Sequence, residues 1–456
     1  MLDYAGNNSQ PNDFSIQLLQ NLQNLSGAYP IIRAGGTTSN RAIFVANQSA
    51  SLIEAFSASS PDQPSSLSIG PTWIQSFQQF PKGTKYIYGL NFGDGDVGLQ
   101  QTILEATNAF NGLGTSLESF EIGNEVDGYH FSRMANSIFL LTFWKQYAAA
   151  IADTAIGATL DSSLEPLFQA CAFEAPRHLG YNATPFWNVE NALKFGIAST
   201  GKAKTVADHD YMGSACPGAK PATIKDNLLN HFHMTSLMYY HSYLGNYSSS
   251  VGIPYVLGET NSISCQGQVG VSDVYAAALW SIDYTLYIAS LNASRIYYHM
   301  GTPYRYSAWQ PVAHNGTEKH VKPLYYGNIF TASAFAGGNK KVSVLVNETD
   351  FSAYGIYDSR KAENGLESVV MVNLEMWNST QAVEKRPYTK VKLPELLANG
   401  MARRLTSPGV EIVRNISFAG QYVDGDGRIV GRQVVEVVES GEVLVGAGEA
   451  VLVSFS

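Results

Sequence analysis

Short apolar runs alternate with longer amphipathic segments over the first three quarters of the chain. Seven runs predict β-strands, at Pro30–Arg33, Lys85–Asn91, Leu117–Glu125, Phe168–Phe173, Thr205–Tyr211, Pro254–Glu259 and Arg295–Met300. Apolar residues at helical spacing predict seven helices, near residues 13–25, 98–112, 137–155, 187–199, 222–244, 272–290 and 325–336. The polar, serine-rich stretch from Ser57 to Ser66 is predicted to be a loop.

This alternation of strands and helices is typical of a parallel sheet covered by helices. A TIM (β/α)8-type barrel closes with eight strands, whereas seven are countable here and the first element is a helix. We therefore expect a barrel over residues 1–337 that lacks its first strand, which would precede residue 1. Residues 338–456 alternate in short runs separated by Gly, Asn and Asp turns, which predicts an all-β sandwich domain.

Two glutamates close predicted strands, Glu125 after Leu117 and Glu259 after Pro254. Active sites of barrel enzymes lie at the carboxyl ends of the strands. A retaining glycosidase needs one carboxyl group to protonate the leaving oxygen and a second to attack the sugar. The pair therefore predicts such a mechanism, and the alternative is that each glutamate is an ordinary strand-end residue facing solvent.

Side-chain alternation along a strand predicts which residues share a face. It places Glu125 on the same face as Glu121, and Glu259 on the same face as Tyr255 and Leu257. In a barrel, this set is expected to face the interior, while the apolar set faces the helices.

Three further residues are candidates for the same site. Asn124, next to the predicted acid, can hold a sugar hydroxyl. Arg33 ends a strand and could donate to Glu259, the alternative being a purely structural ion pair. Tyr211 ends the strand before that of Glu259, so its hydroxyl could reach the carboxylate or the sugar, the alternative being a packed core tyrosine.

Histidine-containing clusters do not predict a metal site. In Asp208-His209-Asp210, alternation points His209 away from both aspartates. His231 and His233 lie two positions apart in a predicted helix, where side chains diverge. We expect neither a metal nor a cofactor.

The three cysteines differ in their predicted positions. Cys216 and Cys265 follow neighbouring strands, so their loops would meet at the barrel mouth and a disulfide is possible. Cys171 lies within a strand and is expected to be a buried free thiol.

Composition excludes two partner classes. The net charge of −9 argues against nucleic acid, and no apolar run is long enough to span a membrane. Asn-x-Ser/Thr sequons favour a secreted protein, at Asn7, Asn24, Asn47, Asn182, Asn246, Asn292, Asn315, Asn347, Asn378 and Asn415. The residues after Met1 do not form a signal peptide. We expect a monomer.

Five stretches carry a resemblance to a known family: Asp3–Asn7, Ile32–Thr37, Phe120–Glu125, Gly258–Ser262 and His299–Gly301. With them, the chain as a whole resembles glycoside hydrolase family 79, the β-glucuronidases and heparanase-like enzymes, and most closely its fungal members. The resemblance implies that Glu125 is the acid/base and Glu259 the nucleophile. Family members carry a leader, β-domain strands and the first barrel strand before the first of these stretches.

The resemblance also implies how a substrate with a terminal glucuronate is held. Tyrosine hydroxyls and backbone amides would bind its carboxylate, and the candidates are Tyr211, Gly301, Tyr304 and Tyr306. Some relatives have a tyrosine where this chain has Ser262–Cys265. The predicted function is a retaining, exo-acting β-glucuronidase. The alternatives are an endo-acting enzyme of heparanase type and an inactive, truncated carbohydrate-binding homologue.

Overall fold

A computed structural model describes residues 1–7, 9–58, 60–92, 95–128, 137–156, 166–175, 188–361, 365–393 and 398–455. Its centre is a sheet of seven parallel strands, and each strand pairs with the next in the chain. These strands are β1 Ile32–Ala34, β2 Tyr86–Leu90, β3 Leu117–Ile122, β4 Phe168–Phe173, β5 Ala203–Tyr211, β6 Tyr255–Asn261 and β7 Ala293–Tyr298. The sheet curls into a nearly closed barrel whose edges are β1 and β7. The predicted strand number and barrel type are confirmed.

Helices cover the outside of the barrel because their apolar faces pack against it. The described α-helices are Leu2–Ala5, Asp13–Ser26, Pro71–Ser76, Gly95–Leu113, Ser137–Ala150, Val189–Lys194, His231–Leu237, Tyr239–Ser250, Tyr275–Ser290 and Leu324–Ala334. The single helix predicted over 222–244 is instead three segments, because Thr223 and Asn230 each begin a new one by accepting a backbone N–H. No helix of the described residues is long and apolar enough to cross a membrane.

The predicted loop from Ser57 to Ser66 is wrong. Strand Ser60–Ile69 pairs with Leu52–Ser57 in an antiparallel hairpin, and Ala42–Phe44 joins its other edge. Ser66 faces solvent, while Ile69 at the strand end is buried. Residues 65–68 are exposed or half-buried, and a strand of this kind has the polar composition of a loop, so its sequence does not distinguish the two.

An antiparallel sheet follows the barrel and packs against it. Its strands run in the order Lys340–Glu348, Phe351–Asp358, Leu366–Asn373, Glu449–Ser454, Met401–Thr406 and Ser417–Phe418, with Glu436–Val437 also paired to Met401–Thr406. A second layer is the pair Tyr388–Lys392 and Glu442–Gly446, and the two layers enclose a small core. Two further pairs are short, Tyr422–Val423 with Ile429–Val430 and Trp309–Gln310 with His320–Val321. The predicted β sandwich after the barrel is confirmed.

Helix Tyr275–Ser290 joins the two parts, since it lies between the barrel and this sheet and is buried along nearly its whole length. Its one buried charge, Asp283, accepts hydrogen bonds from Tyr354 at 2.5 Å and Ser352 at 2.6 Å, and lies 2.8 Å from His231 Nδ1. Those partners come from the sheet and from a neighbouring helix. The boundary between residues 337 and 338 stays a prediction.

Candidate active site

The predicted acid Glu125 lies beyond the end of β3. The strand ends at Ile122, and the chain turns at Gly123, which has a φ of +76°. A Cβ there would lie 2.5 Å from Val126 Cγ1, so only glycine fits. Glu125 has a φ of 50°, a left-handed conformation that is uncommon for a non-glycine residue. The turn, and not strand alternation as predicted, sets the direction of this carboxylate.

Reciprocal hydrogen bonds fix the backbone of Asn124. Asn40 Nδ2 donates to its carbonyl oxygen at 2.8 Å, and its own N–H donates to Asn40 Oδ1 at 2.9 Å. The next N–H, that of Glu125, donates to the Ala172 carbonyl at 2.8 Å. Asn124 is buried and its Oδ1 accepts from Arg33, but its Nδ2 has no partner among the described residues. This N–H group is therefore available to a ligand.

A bulge in β6 aims Glu259 at the barrel interior. Leu257 and Glu259 pair with consecutive residues of β5, so Gly258 between them has no partner. An extra residue reverses the alternation of side chains along a strand. Tyr255 consequently faces outward, where its hydroxyl lies 2.5 Å from His241 Nδ1. The predicted grouping of Tyr255 and Leu257 with Glu259 is wrong for this reason.

The bulge has room for glycine alone. A Cβ on Gly258 would lie 2.8 Å from Ala207 Cβ and 3.5 Å from Gln169 Nε2. Strand β6 then continues to Asn261, so Glu259 lies within the strand and does not end it as predicted.

Arg33, at the centre of β1, connects three acidic or amide side chains. Its Nη1 donates to Glu259 Oε2 at 2.8 Å, its Nε to Glu121 Oε1 at 2.9 Å, and its Nη2 to Asn124 Oδ1 at 2.7 Å. Gln169 Nε2 donates to the other oxygen of Glu121 at 2.6 Å. Burial lowers the pKa of Arg33, but the two carboxylates raise it by more than burial lowers it. The net pKa therefore lies above the usual arginine value.

Glu259 is buried but surrounded by donors and positive charge. The Tyr211 hydroxyl donates to its Oε1 at 2.8 Å, and His299 Nδ1 lies 3.3 Å from the same oxygen. Burial alone raises the pKa of Glu259. Electrostatic interactions with His299, His209 and Arg33 together more than offset burial, and the hydrogen bond from Tyr211 acts in the same direction. The net pKa lies below the usual glutamate range, so this carboxylate is ionised at neutral pH.

Glu125 has a sparser environment on the opposite side of the site. Its side chain is 27% exposed, against 7% for Glu259, and its Oε1 lies 2.9 Å from His209 Nδ1. One carboxylate oxygen of each glutamate and one ring nitrogen of His209 all lie within 4.8 Å of one another. The two carboxylates therefore face each other across a gap that a single reacting carbon can occupy.

The same three atoms have donor types that can ligate a divalent metal ion. However, Glu259 already binds the guanidinium of Arg33, and that positive charge opposes a second cation. The expectation that no metal takes part stays a prediction.

The loop after β7 forms an aromatic wall beside Glu259. The Tyr306 hydroxyl lies 2.8 Å from His299 Nδ1, and the Tyr304 ring meets both rings edge-on at centroid distances of 5.7 and 5.9 Å. The Tyr211 ring lies 6.3 Å from that of Tyr306. Burial, with a contribution from the charge of Glu259, raises the pKa of Tyr211 and of Tyr306. Both phenols remain protonated and can donate hydrogen bonds.

Gly301 begins this loop, and the Tyr304 ring packs directly on its Cα, which leaves no room for a side chain. Its N–H donates to Ser307 Oγ at 3.1 Å. The structure thus gives this amide a partner within the loop, and its predicted contact with a substrate carboxylate stays a prediction.

A disulfide joins Cys216 to Cys265, with their Cα atoms 5.3 Å apart, and links the loops after β5 and β6. Gln266, next in the chain, accepts the backbone N–H of Arg305 at 2.8 Å. The disulfide therefore supports the loop of the aromatic wall. Cys171 is a buried free cysteine.

The other clusters lie outside the site. Asp208 and Asp210 face the helices, where His241 Nε2 lies 3.0 Å from Asp210 Oδ2. His209 points the opposite way, as alternation predicts. His231 belongs to the buried contact with Asp283 described above.

Sequence reasoning missed four residues of the site, which are Asn40, Gln169, His209 and His299 as partners of the predicted ones. Glu121 points into the barrel as expected, but its pairing with Arg33 was not predicted. His209 had a usable signal, because it lies two positions before Tyr211 on the same strand face. Asn40 had none, since it reaches Asn124 from a distant short helix.

Comparison with known proteins identifies the family. The model described as the glycosyl hydrolase family 79 C-terminal beta domain matches residues 353–452. A β-glucuronidase of Neurospora crassa is 34% identical over 411 residues, covering 84% of this chain and 71% of that protein. A β-glucuronidase of Aspergillus niger is 33% identical over 446 residues, covering 92% of this chain and 80% of that protein.

Solved structures share the fold. A 4-O-α-L-rhamnosyl-β-D-glucuronidase from Fusarium oxysporum matches with a TM-score of 0.80 at 23% identity, covering 97% of this chain and 92% of that one. A family 51 α-L-arabinofuranosidase from Bifidobacterium longum matches with a TM-score of 0.58 at 12% identity, covering 99% and 91%. The likeness of the two fungal sequences over most of their length confirms the resemblance, and the chain is a glycoside hydrolase that belongs to glycoside hydrolase family 79.

Proposed function

We propose that this protein is a retaining, exo-acting β-glucuronidase that works by double displacement. The observation that carries the proposal is the pair of facing carboxylates with unlike surroundings, within 4.8 Å of each other. Retaining enzymes place their two carboxyl groups about 5–5.5 Å apart, whereas inverting enzymes leave about 6.5–9.5 Å for a water molecule. The short separation favours retention.

Glu259 is the proposed nucleophile. Its carboxylate is kept ionised by Arg33 and Tyr211, which also hold its orientation. It attacks the anomeric carbon as the bond to the leaving oxygen breaks, which forms a glycosyl ester. Water then cleaves that ester and releases the free sugar.

Glu125 is the proposed acid/base. It donates its proton to the leaving oxygen in the first step and takes one from the attacking water in the second. His209 is its partner at 2.9 Å and holds the carboxyl in place. Its partial exposure gives the leaving group and the incoming water access to the same oxygen atoms.

A β-glucuronide is the proposed substrate, because both fungal relatives are β-glucuronidases by name. Asn124 Nδ2, which is buried and unpaired among the described residues, is the proposed donor to a sugar hydroxyl. The hydroxyls of Tyr304 and Tyr306 would bind the glucuronate carboxylate. Tyr211 and the amide of Gly301 already donate to Glu259 Oε1 and Ser307 Oγ, so each would exchange that acceptor for the substrate carboxylate. A protonated phenol is a neutral hydrogen-bond donor, so it can bind an anion without a positively charged side chain in direct contact with that anion.

We also infer that the protein is secreted and acts as a monomer. The nine sequon asparagines within the described residues are all exposed, as glycosylation requires, and Asn182 lies outside those residues. Mass spectrometry of the protein secreted by a fungal host would detect glycans at these positions. Absence of glycan at all of them would contradict this inference.

The test is hydrolysis of an aryl β-glucuronide, with the matching β-glucoside as comparison and proton NMR of the first-formed sugar. We expect turnover of the glucuronide, release of the β-anomer, and loss of activity in Glu259→Gln. Glu348→Gln, at an exposed strand end, is the control and should match wild type. Release of the α-anomer would disprove retention, and exclusive glucoside turnover would disprove the substrate.

A further inference from the structure

Lys322 is a buried lysine beneath the aromatic wall. It is 8% exposed, and its ammonium donates to the Tyr304 carbonyl at 2.5 Å and lies 3.4 Å from the Pro303 carbonyl. Its backbone N–H donates to the Ala308 carbonyl at 2.9 Å. The residue therefore ties both ends of the 303–308 segment to the strand pair behind it.

No carboxylate of the described residues forms an ion pair with this ammonium. Two charged groups influence Lys322: Asp273 favours its charged form, and Arg305 opposes it. A third titratable group, His320, lies two residues before Lys322 in the chain. Burial is the largest influence and lowers the pKa of Lys322 to about 8. Lys322 remains mostly charged at neutral pH, although no carboxylate of the described residues lies within ion-pair distance of its ammonium.

A buried cation without an ion-pair partner destabilises the fold, because contacts with carbonyl oxygens offset only part of the free energy lost when the ion leaves water. Holding two carbonyls in place requires only a neutral donor, such as an amide side chain. The loop already has a second support, because Gln266 beside the disulfide accepts the N–H of Arg305. Bracing the loop therefore does not account for the positive charge.

We infer that Lys322 is a positioning residue that determines preference for an acidic sugar at the aromatic wall. Its ammonium orients the loop that carries Tyr304 and Tyr306, and its charge stabilises an anion bound on the other side of that loop. The inference rests on the proposed function, in which those tyrosines bind a glucuronate carboxylate. The substrate's negative charge then offsets a charge that the free enzyme leaves unneutralised.

The experiment compares wild type, Lys322→Met and Lys322→Arg on an aryl β-glucuronide and the matching β-glucoside. In Lys322→Met we expect KM for the glucuronide to rise on the order of tenfold, with kcat and glucoside turnover nearly unchanged. Lys322→Arg keeps the charge and should recover most of the loss. Thermal unfolding of each variant shows whether the fold persists.

The pH dependence supplies a readout that bracing alone would not change. In wild type, KM for the glucuronide should rise as pH passes about 8, because Lys322 then loses its proton. The rise should be absent in Lys322→Arg, whose guanidinium stays charged. If Lys322→Met does not fold, this comparison still decides the matter.

The outcomes separate the inference from the proposed function. Wild type that does not hydrolyse the glucuronide disproves the proposed function itself. Wild type that prefers the glucuronide, with Lys322→Met affecting both substrates equally or neither, overturns the inference alone. A rise in KM above pH 8 that persists in Lys322→Arg also overturns it.

Discussion

The surroundings of the two glutamates differ in almost every respect, although their oxygens lie within 4.8 Å. Glu259 is held by an arginine and a tyrosine and lies next to His299, on a bulged strand inside the barrel. Glu125 lies on a turn with positive φ, has His209 as its one side-chain partner among the described residues and is partly open to solvent. One setting stabilises a fixed anion, and the other leaves a group free to exchange protons. The same amino acid is thereby suited to two different tasks.

Removing each carboxylate in turn should give the largest effects and should show most clearly that the two glutamates differ. Glu259→Ala should lose on the order of 10⁴-fold or more in kcat on every glucuronide, since no covalent intermediate forms. Glu125→Ala should lose about 10²–10⁴-fold in kcat/KM on substrates with poor leaving groups and much less in kcat/KM on good ones, which need no proton. Its kcat should fall on both kinds of substrate, because the second step still needs the base. Steady-state kinetics over a series of aryl glucuronides would measure this. An equal loss of kcat/KM across the series in both variants would contradict the proposed roles.

Arg33→Met tests whether the ion pair makes Glu259 different from Glu125. Unpairing two buried carboxylates should destabilise the fold by about 3–5 kcal/mol and reduce kcat by about 10²–10³-fold. Because the arginine lowers the pKa of Glu259, its loss should raise that pKa and move the acid limb of kcat/KM to higher pH.

The lowered pKa of Glu259 also makes the stability of the fold depend on pH. A carboxylate with a lowered pKa contributes stability above the ordinary value of about 4.3, and that contribution is lost as pH falls further. Wild type should therefore lose stability on acidification more steeply than Arg33→Met, as chemical denaturation at several pH values would show. Arg404→Met is the control, since Arg404 also bridges two glutamates, Glu436 and Glu449, but lies in the C-terminal sheet. An unmoved acid limb in Arg33→Met would contradict the role of the ion pair.

Gly258→Ala sharpens the contrast by disturbing only the bulge that aims Glu259. The added methyl group would meet Ala207 Cβ at 2.8 Å, so the strand must shift. We expect a cost of about 1–3 kcal/mol in the free energy of unfolding and about a 10²-fold loss of kcat from the displaced carboxylate. Gly425→Ala, where a methyl group meets nothing within 4 Å, should be silent in denaturation and kinetic assays. A Gly258→Ala enzyme with full activity would show that the bulge does not position Glu259.

Opening the disulfide should have the smallest effect on catalysis. The double variant Cys216→Ser/Cys265→Ser removes a link across 49 residues, worth on the order of 4 kcal/mol in chain entropy. Because the loop keeps its other support at Lys322, kcat should change little, and KM should rise by less than about tenfold. Reductant should shift the melting temperature of wild type and leave the double variant unaffected. Identical melting of the two proteins would contradict a stabilising role.

Periodicity predicted the repeating part of the fold because regular strands and helices bury one kind of residue at fixed intervals. The seven strands and most helices lie within a few residues of their expected positions, and β4 matches its predicted bounds. The errors occur where regular spacing ends, at the turn after Ile122, at the bulge of Gly258 and in the hairpin of Leu52–Ser57 with Ser60–Ile69. None of these changes the local balance of apolar and polar residues.

The sequence by itself determined the barrel, the sheet that follows it, and the two glutamates with Asn124, Arg33 and Tyr211 as candidates around them. Only the tertiary structure decided which partner each glutamate has. Glu259 received its partners from β1, β5 and the segment after β7, and Glu125 received His209 from β5. These contacts join residues far apart in the chain, so their distances depend on how the sheet curls and where one extra residue reverses a strand. That geometry leaves no periodic trace in the sequence.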